Sequence, residues 1–223
     1  MDNAQGVQTV MAFFDRGASG LAKSIKNLVP DPEATVGKAR EQLEEIAPTL
    51  AYIDQPDHPM ANSLFYCAIN LAVYLKLRDQ AVDAHAYGEA MLRHLETLPA
   101  PSGAADGDEA SGADGGARDW SGPGTHPGEF VVENVAADES EFARGFNITS
   151  CGICYLFSQH DAMDLVPYMC ASDDVMSDLG GQGLRRKGTI ALGAHQCDFR
   201  FQPGGEPLRV AEQYPDKIKF VRS

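Results

Sequence analysis

The last third of the chain holds the residues whose types and spacing most clearly allow chemistry. Four of the five cysteines lie there: Cys151, Cys154, Cys170 and Cys197. A group of thiols can bind zinc, cycle between dithiol and disulfide, or supply a nucleophile for hydrolysis. Cysteine is also a common small residue of protein cores, so the spacing and the neighbouring residues must separate these interpretations.

Cys151 and Cys154 are three residues apart, where the sequence predicts the start of a helix. Unpaired N–H groups and the helix dipole at such a start lower the pKa of a thiol. The pair is also half of a zinc site that Cys170 and Cys197 would complete, although these two cysteines come singly. As a redox pair it has suitable spacing but lacks a thioredoxin-like βαβ context. Spacing alone leaves these interpretations open.

The next cysteine is followed by acidic residues at helical spacing. Cys170, Asp173 and Asp174 would share one face of a helix that begins near Pro167. A thiol and a carboxylate one turn apart can act as nucleophile and proton acceptor. This segment therefore favours a hydrolytic site.

Further candidates lie on a predicted β-hairpin, formed by residues 184–192 and 195–202 around a turn at Gly193. In its second strand, His195 and Cys197 alternate with Asp198, so the carboxylate lies on the opposite face. Arg185, at the start of the hairpin, belongs to a short basic cluster that can bind a substrate carboxylate.

Three segments of this region, in this order, resemble the L-2-amino-thiazoline-4-carboxylic acid hydrolase (ATC hydrolase) family. They have the patterns Asn-x-Thr-x-Cys, Cys-x-x-Asp and Thr-x-x-x-Gly-x-x-x-Cys-Asp-Phe. In this chain they comprise Asn147, Thr149 and Cys151; Cys170 and Asp173; and Thr189, Gly193, Cys197, Asp198 and Phe199. The resemblance covers about the last third of the chain, and the helical first part carries no distinctive motif.

The resemblance implies hydrolysis at a cyclic isothiourea-like carbon: water adds, the ring opens and N-carbamoyl-L-cysteine forms. From this chemistry we assign Cys170 or Cys151 as the nucleophile. Asp173 and His195 would carry protons. Substrate-binding residues would be Asn147, Thr149, Arg185, Cys197 and Asp198. We expect no cofactor, with zinc as the alternative, bound by Cys151, Cys154, Cys170 and Cys197.

A looser likeness to 4-vinyl reductase-type domains, which are small-molecule-binding α+β modules, supports a second hypothesis. The chain would then bind a small molecule or zinc without turnover. A third hypothesis is a related ring-opening or lyase reaction on a different substrate. Zinc analysis of protein purified without chelator separates the metal-binding module from the enzyme.

Residues 1–100 are predicted to be helical, with a helix start at Asp31–Pro32 and a long apolar run after Pro59. Two or three helices packed as an antiparallel bundle account for this pattern. Cys67 and His85 lie on the apolar faces and are expected in the core.

Residues 101–128 are rich in glycine and acidic residues, so they are predicted to form a flexible linker or long loop. Residues 129–223 combine short β-branched segments, helical segments and the hairpin. The predicted class is therefore α+β, with a helical N-terminal part, an acidic Gly-rich linker and a C-terminal antiparallel sheet with helices.

The 223 residues have a formal net charge of −14, and their pI near 4.7 disfavours nucleic-acid binding. No run approaches the roughly 20 apolar residues of a membrane helix, and the N-terminus lacks a signal-peptide pattern. We therefore expect a cytoplasmic protein with reduced thiols and a small-molecule substrate, without nucleic-acid or membrane partners. A homo-oligomer is compatible with the sequence.

Overall fold

The computed structural model of the chain describes residues 3–99, 126–138 and 140–220. The first part contains helices α1 (Asn3–Ser24), α2 (Pro32–Ile46), α3 (Ala61–Arg78) and α4 (Ala84–Glu96). The second part contains β1 (Val131–Val135), β2 (Arg144–Ser150), α5 (Gly152–Ser158), α6 (Val166–Leu179), β3 (Leu184–Arg185), β4 (Cys197–Phe201) and α7 (Val210–Gln213). The predicted α+β class is confirmed.

The predicted linker at 101–128 lies outside the described residues, apart from its last three positions. The division into a helical domain at 1–100, a linker and an α+β domain at 129–223 therefore stays a prediction. In the described part of the chain, no helix combines the length and the apolar character needed to cross a bilayer.

Single side chains set the starts of several helices. Asp31 caps α2, because its Oδ1 accepts the N–H of Ala34 at 2.9 Å. Pro32 follows in the first turn, where a missing N–H costs no hydrogen bond. Asp83 caps α4 in the same way, and Pro167 lies in the first turn of α6. These starts agree with the signals at Asp31–Pro32 and Pro167.

The four strands form one antiparallel sheet in the order β1-β2-β4-β3. Directly paired residues of antiparallel strands point to the same face, so the register assigns every side chain to one of two faces. The inner face carries Phe146, Ile148, Leu184, Cys197, Phe199 and Phe201. The outer face carries Gly145, Asn147, Thr149, Arg185, Asp198 and Arg200.

One continuous cluster of buried side chains connects the helices of the first part with α6 and the inner face of the sheet. Tyr168 of α6 lies at the centre of this contact, with its ring against Gly88 of α4. Its hydroxyl contacts Nδ1 of His85 at 2.6 Å and accepts the N–H of Lys219 at 3.1 Å. Helix α6 is thereby held between α4 and the C-terminal segment.

The substitution Gly88→Ala is expected to lower the free energy of unfolding by about 1–3 kcal/mol, because it overpacks the contact between α4 and α6. An added Cβ would lie 2.2 Å from Cγ of Tyr168. The matched control is Gly37→Ala in α2, where a Cβ meets nothing within 4 Å. There alanine should stabilise the helix by about 0.5–1 kcal/mol. Urea denaturation measures both changes, and a stabilised Gly88→Ala variant would contradict this packing.

The predicted hairpin is only partly present. Its second strand is β4, where buried and half-buried residues alternate as expected. Its first strand is reduced to the two residues of β3, because the N–H of Arg186 donates to the Leu208 carbonyl at 3.2 Å. The chain then forms a loop and a 3₁₀ turn at Ile190–Leu192. Gly193 follows at a φ of 94°, a left-handed conformation that glycine adopts without steric cost.

Candidate active site

Cys170 lies in α6, against the loop that follows β3. Its sulfur is 3.4 Å from the hydroxyl of Thr189, which is fully buried. Its carbonyl accepts a hydrogen bond from Arg186. Burial raises the pKa of the Cys170 thiol well above its ordinary value, although the Arg186 charge opposes the rise. The resting thiol is therefore protonated at neutral pH and needs a base before it can attack a carbon atom.

Arg186 connects the groups of this site, and none of its side chain is exposed. Nη1 donates to Oδ2 of Asp173 at 2.9 Å, and Nη2 lies 3.5 Å from Oδ1 of Asp174. The guanidinium carbon lies over the Phe199 ring, 4.7 Å from its centroid. Nε has no hydrogen-bond partner among the described residues. A charge this deeply buried is stable only with such partners, because an unpaired one is very costly.

The carboxylate of Asp173 is open to solvent, with 47% of the side chain exposed. Only its Oδ2 has a hydrogen-bond partner among the described residues, which leaves Oδ1 available. The surrounding protein nevertheless raises the pKa of Asp173 by desolvation, and Arg186 opposes the rise. Asp173 is therefore an exposed carboxylate on α6, one helical turn after Cys170.

Asp174, in contrast, is buried. Its Oδ2 accepts the N–H of Val210 at 2.8 Å, whereas Oδ1 has no hydrogen-bond partner among the described residues. Burial raises the pKa of Asp174 to about 6, against the lowering by Arg186 and the Val210 N–H. At neutral pH this carboxylate is mostly ionised, and Arg186 compensates its charge. Asp174 also lines a cavity of about 420 Å³ between α4, α6 and the C-terminal segment, which no cysteine lines.

The other thiols of the site come from distant parts of the chain. Burial raises the pKa of Cys67 in α3 well above its ordinary value, and the charges of Asp173, Cys151 and Cys170 add to the rise. Burial raises the pKa of Cys197 on β4 to about 11, against the nearby N–H of Ile190. That N–H donates to the Cys197 sulfur at 3.3 Å. We call Cys67, Cys151, Cys170 and Cys197 the thiol cluster.

The expected lowering of the Cys151 pKa is wrong. The neighbouring Cys154 thiol and then burial raise the pKa of Cys151 well above its ordinary value. The N–H groups of Ile153 and Cys154 do lower it, as expected at a helix start, but they are outweighed. Helix α5 has only seven residues, so its dipole adds little. The cluster therefore consists of protonated thiols at neutral pH.

Four of the predicted substrate-binding residues lie on the outer face of the sheet: Asn147, Thr149, Arg185 and Asp198. Cys197 lies on the inner face, so the sheet separates these four side chains from it. Arg185 and Thr149 are exposed. Side chains alternate between the two faces along a strand, so the adjacent residues Cys197 and Asp198 point to opposite sides of the sheet.

Two of these four side chains have structural contacts instead. Asn147 accepts a hydrogen bond from Nη2 of Arg200 at 3.0 Å on the outer face. Asp198 accepts the backbone N–H groups of Lys187 at 3.2 Å and Gly188 at 2.8 Å. Asp198 thus fixes the loop that connects Arg186 with Thr189. Its effect on the site is indirect, through the position of this loop.

His195 is exposed in the turn before β4. Within residues 3–99, 126–138 and 140–220, no hydrogen bond, ion pair or ring contact joins its side chain to the thiol cluster. The structure therefore gives no geometric support to the predicted role of His195 as a proton carrier. In the same described ranges, no three His, Cys, Asp or Glu side chains are arranged to hold a metal ion. The zinc hypothesis for Cys151, Cys154, Cys170 and Cys197 thus gains no support from the geometry.

Two residues of the site are missing from the sequence-based assignment. Arg186 is adjacent to the predicted Arg185. It lies two residues after Leu184, so its side chain points to the same side of the strand as Leu184, which is buried on the inner face of the sheet. Cys67 is expected in the core and is indeed buried, at 4% exposed. Only the folded structure brings it near enough to Asp173, Cys151 and Cys170 for their charges to act on its pKa.

The model of the L-2-amino-thiazoline-4-carboxylic acid hydrolase family matches residues 72–201, which is more than half of the chain. The chain belongs to this family. No curated protein and no solved structure matches it. The match of the ATC hydrolase family includes three members of the thiol cluster and Arg186, whereas Cys67 precedes it.

In the third motif, each named residue has a structural role. Thr189 touches the Cys170 sulfur, and Gly193 provides the left-handed turn. Cys197 accepts a backbone N–H of the loop, Asp198 binds two others, and Phe199 lies under the Arg186 guanidinium. The motif therefore specifies the loop that brings Arg186 and Thr189 to helix α6.

Proposed function

We propose that the protein is a hydrolase that opens a small cyclic amidine or isothiourea-like substrate by addition of water at the thiol cluster. The name of the family supports a hydrolase acting on a ring of this type. The observation that carries the proposal is the position of Cys170 and Asp173 one turn apart on α6, where Arg186 binds the carboxylate of Asp173 and the backbone carbonyl of Cys170. A nucleophile and a proton carrier are thereby held on one helix by a buried cation.

The reaction in this proposal begins with a protonated Cys170 thiol and an ionised Asp173. Asp173 takes the thiol proton, and the Cys170 sulfur attacks the ring carbon that lies between nitrogen and sulfur. The ring C–S bond then breaks, and the departing sulfur takes the proton from Asp173. A molecule of water next attacks the same carbon, and its oxygen remains in the product while Cys170 leaves as a thiol. The net change is the addition of one water molecule.

The contacts of Cys170 suit this sequence of steps. The Thr189 hydroxyl and the Arg186 charge lower the pKa of Cys170, so they favour the thiolate that forms during attack.

Purified protein is expected to convert L-2-amino-thiazoline-4-carboxylate to N-carbamoyl-L-cysteine. Liquid chromatography with mass spectrometry measures the product, and heat-denatured protein is the control for spontaneous hydrolysis. Absence of the product over prolonged incubation with folded protein would contradict the proposed activity for this substrate.

A further inference from the structure

We infer that the cavity between α4, α6 and the C-terminal segment is a second ligand site, and that it binds a small molecule with an apolar body and one carboxylate. The site is separate from the thiol cluster, because no cysteine among the described residues lines the cavity. The sulfur of Cys170 lies instead against Thr189, on the loop after β3. The inference therefore does not depend on the proposed function.

The first step is the size and the surface of the cavity. Its volume of about 420 Å³ is within the range of about 300–1,000 Å³ that is typical of small-molecule sites. Most of its surface is apolar. The apolar side chains are Ala171 and Val175 of α6, and Ala211, Pro215, Ile218 and Phe220 of the C-terminal segment. Such a surface favours an apolar ligand, because each methylene that leaves water contributes to binding.

The second step concerns the two arginines that line the cavity, which already have acidic partners. Arg93 of α4 lies 3.7 Å from a carboxylate oxygen of Glu89 and 3.3 Å from one of Glu96. Arg209 lies 2.8 Å from a carboxylate oxygen of Glu212. Because the charges in these pairs compensate each other, the two arginines offer a ligand little net charge.

Lys219 differs from these arginines, because its ammonium group has no ion pair among the described residues. Asp174, the remaining charged residue of the lining, is 4% exposed and lies 3.5 Å from Arg186. The uncompensated charge at the cavity is therefore positive. A carboxylate is the ligand group that matches it, as an ion pair with a charge-assisted hydrogen bond.

The third step is the position of Lys219 relative to the apolar surface. Its backbone N–H donates to the Tyr168 hydroxyl at 3.1 Å, and its two neighbours in sequence are buried. These neighbours, Ile218 and Phe220, belong to the apolar lining. The lysine is thereby fixed beside the cavity although its side chain is exposed. A ligand whose carboxylate meets Lys219 can place its apolar body against the adjoining side chains.

Three ligands with one alkyl chain and different head groups test the inference: octanoate, octylammonium and 1-octanol. Calorimetric titration at low ionic strength should show saturable binding of octanoate below its critical micelle concentration. Octanoate should bind at least about tenfold more tightly than octylammonium, because Lys219 attracts one head group and repels the other. From hexanoate to octanoate the affinity should rise about twofold to fourfold per methylene, since full burial of a methylene contributes about fourfold.

Variants of the protein locate the site. Lys219→Gln should lower the affinity for octanoate by about fivefold or more. The matched control is Lys217→Gln, which is also exposed but outside the lining, and which should leave the affinity unchanged. Ala211→Leu should lower the affinity by about tenfold or more, because the larger side chain occupies part of the cavity. Cys170→Ser should bind octanoate as the original protein does. The melting temperature of each ligand-free variant checks that it is folded.

Each part of the inference has an outcome that would overturn it. Equal affinities for the three head groups, or an affinity that Lys219→Gln leaves unchanged, would overturn the assignment of a carboxylate. Absence of saturable octanoate binding, or binding that a folded Ala211→Leu variant retains in full, would overturn the site itself. Loss of binding in a folded Cys170→Ser variant would place the ligand at the thiol cluster and contradict a separate site.

Discussion

Replacement of Cys170 with serine is expected to lower kcat/KM for ring opening by about 10³-fold or more, with the fold intact. A serine hydroxyl is a much weaker nucleophile than a thiol and needs stronger activation by a base. The change is small in volume, and the contact with Thr189 can be kept as a hydrogen bond between hydroxyl groups. Steady-state kinetics with the purified variant measures the loss, and its melting temperature checks that it is folded.

The matched controls are serine substitutions at other cysteines of the same region. Cys154→Ser should retain activity within a few-fold, because Cys154 is outside the proposed reaction; a large loss there would instead favour the redox or metal interpretation of the Cys151–Cys154 pair. Cys151→Ser addresses the alternative nucleophile. If Cys151→Ser is inactive and Cys170→Ser keeps full turnover, Cys151 is the nucleophile and the role given to Cys170 is wrong.

Replacement of Arg186 with methionine is expected to lower the free energy of unfolding by about 3–5 kcal/mol, which is typical of breaking a buried ion pair by removing one partner. The buried Asp174 would lose the cation that compensates its charge. Asp173 and the Cys170 carbonyl would each lose a hydrogen bond, and Phe199 its guanidinium contact. Urea denaturation measures the change.

Two further variants show whether charge compensation is the cause. Arg185→Met changes the neighbouring, exposed arginine and should shift stability by no more than about 0.5 kcal/mol. The double variant Arg186→Met/Asp174→Asn should recover part of the loss, because the uncompensated carboxylate is gone. An Arg186→Met protein as stable as the original would mean that Asp174 is neutral in the folded protein and that Arg186 does not support the site.

Local signals in the sequence predict much of the fold. The cap at Asp31, the first-turn Pro167 and the alternation from Cys197 to Phe201 each depend on neighbours in sequence, so their structural meaning is visible without coordinates. The three motifs likewise predict the family whose model matches residues 72–201.

The composition of the site was only partly predictable. Whether Arg185 or Arg186 is buried depends on the phase of a two-residue strand, and the sequence contains two adjacent arginines with the same chemistry. Asn147 and Asp198 belong to the family motifs, but the pleat directs them to the outer face, where they bind Arg200 and the loop after β3. The place of Cys67 in the site depends on the long-range packing of α3, which no local sequence pattern indicates.

The position of Cys67 on α3 has a consequence for how the candidate site is assembled. Asp173, Cys151 and Cys170 are near enough to Cys67 to act on its pKa, so the site draws residues from both sides of the acidic stretch. It therefore depends on the docking of α3 against α5 and of α4 against α6. A mutation deep in the helical half, far from any motif, is expected to disturb the site by loosening that docking.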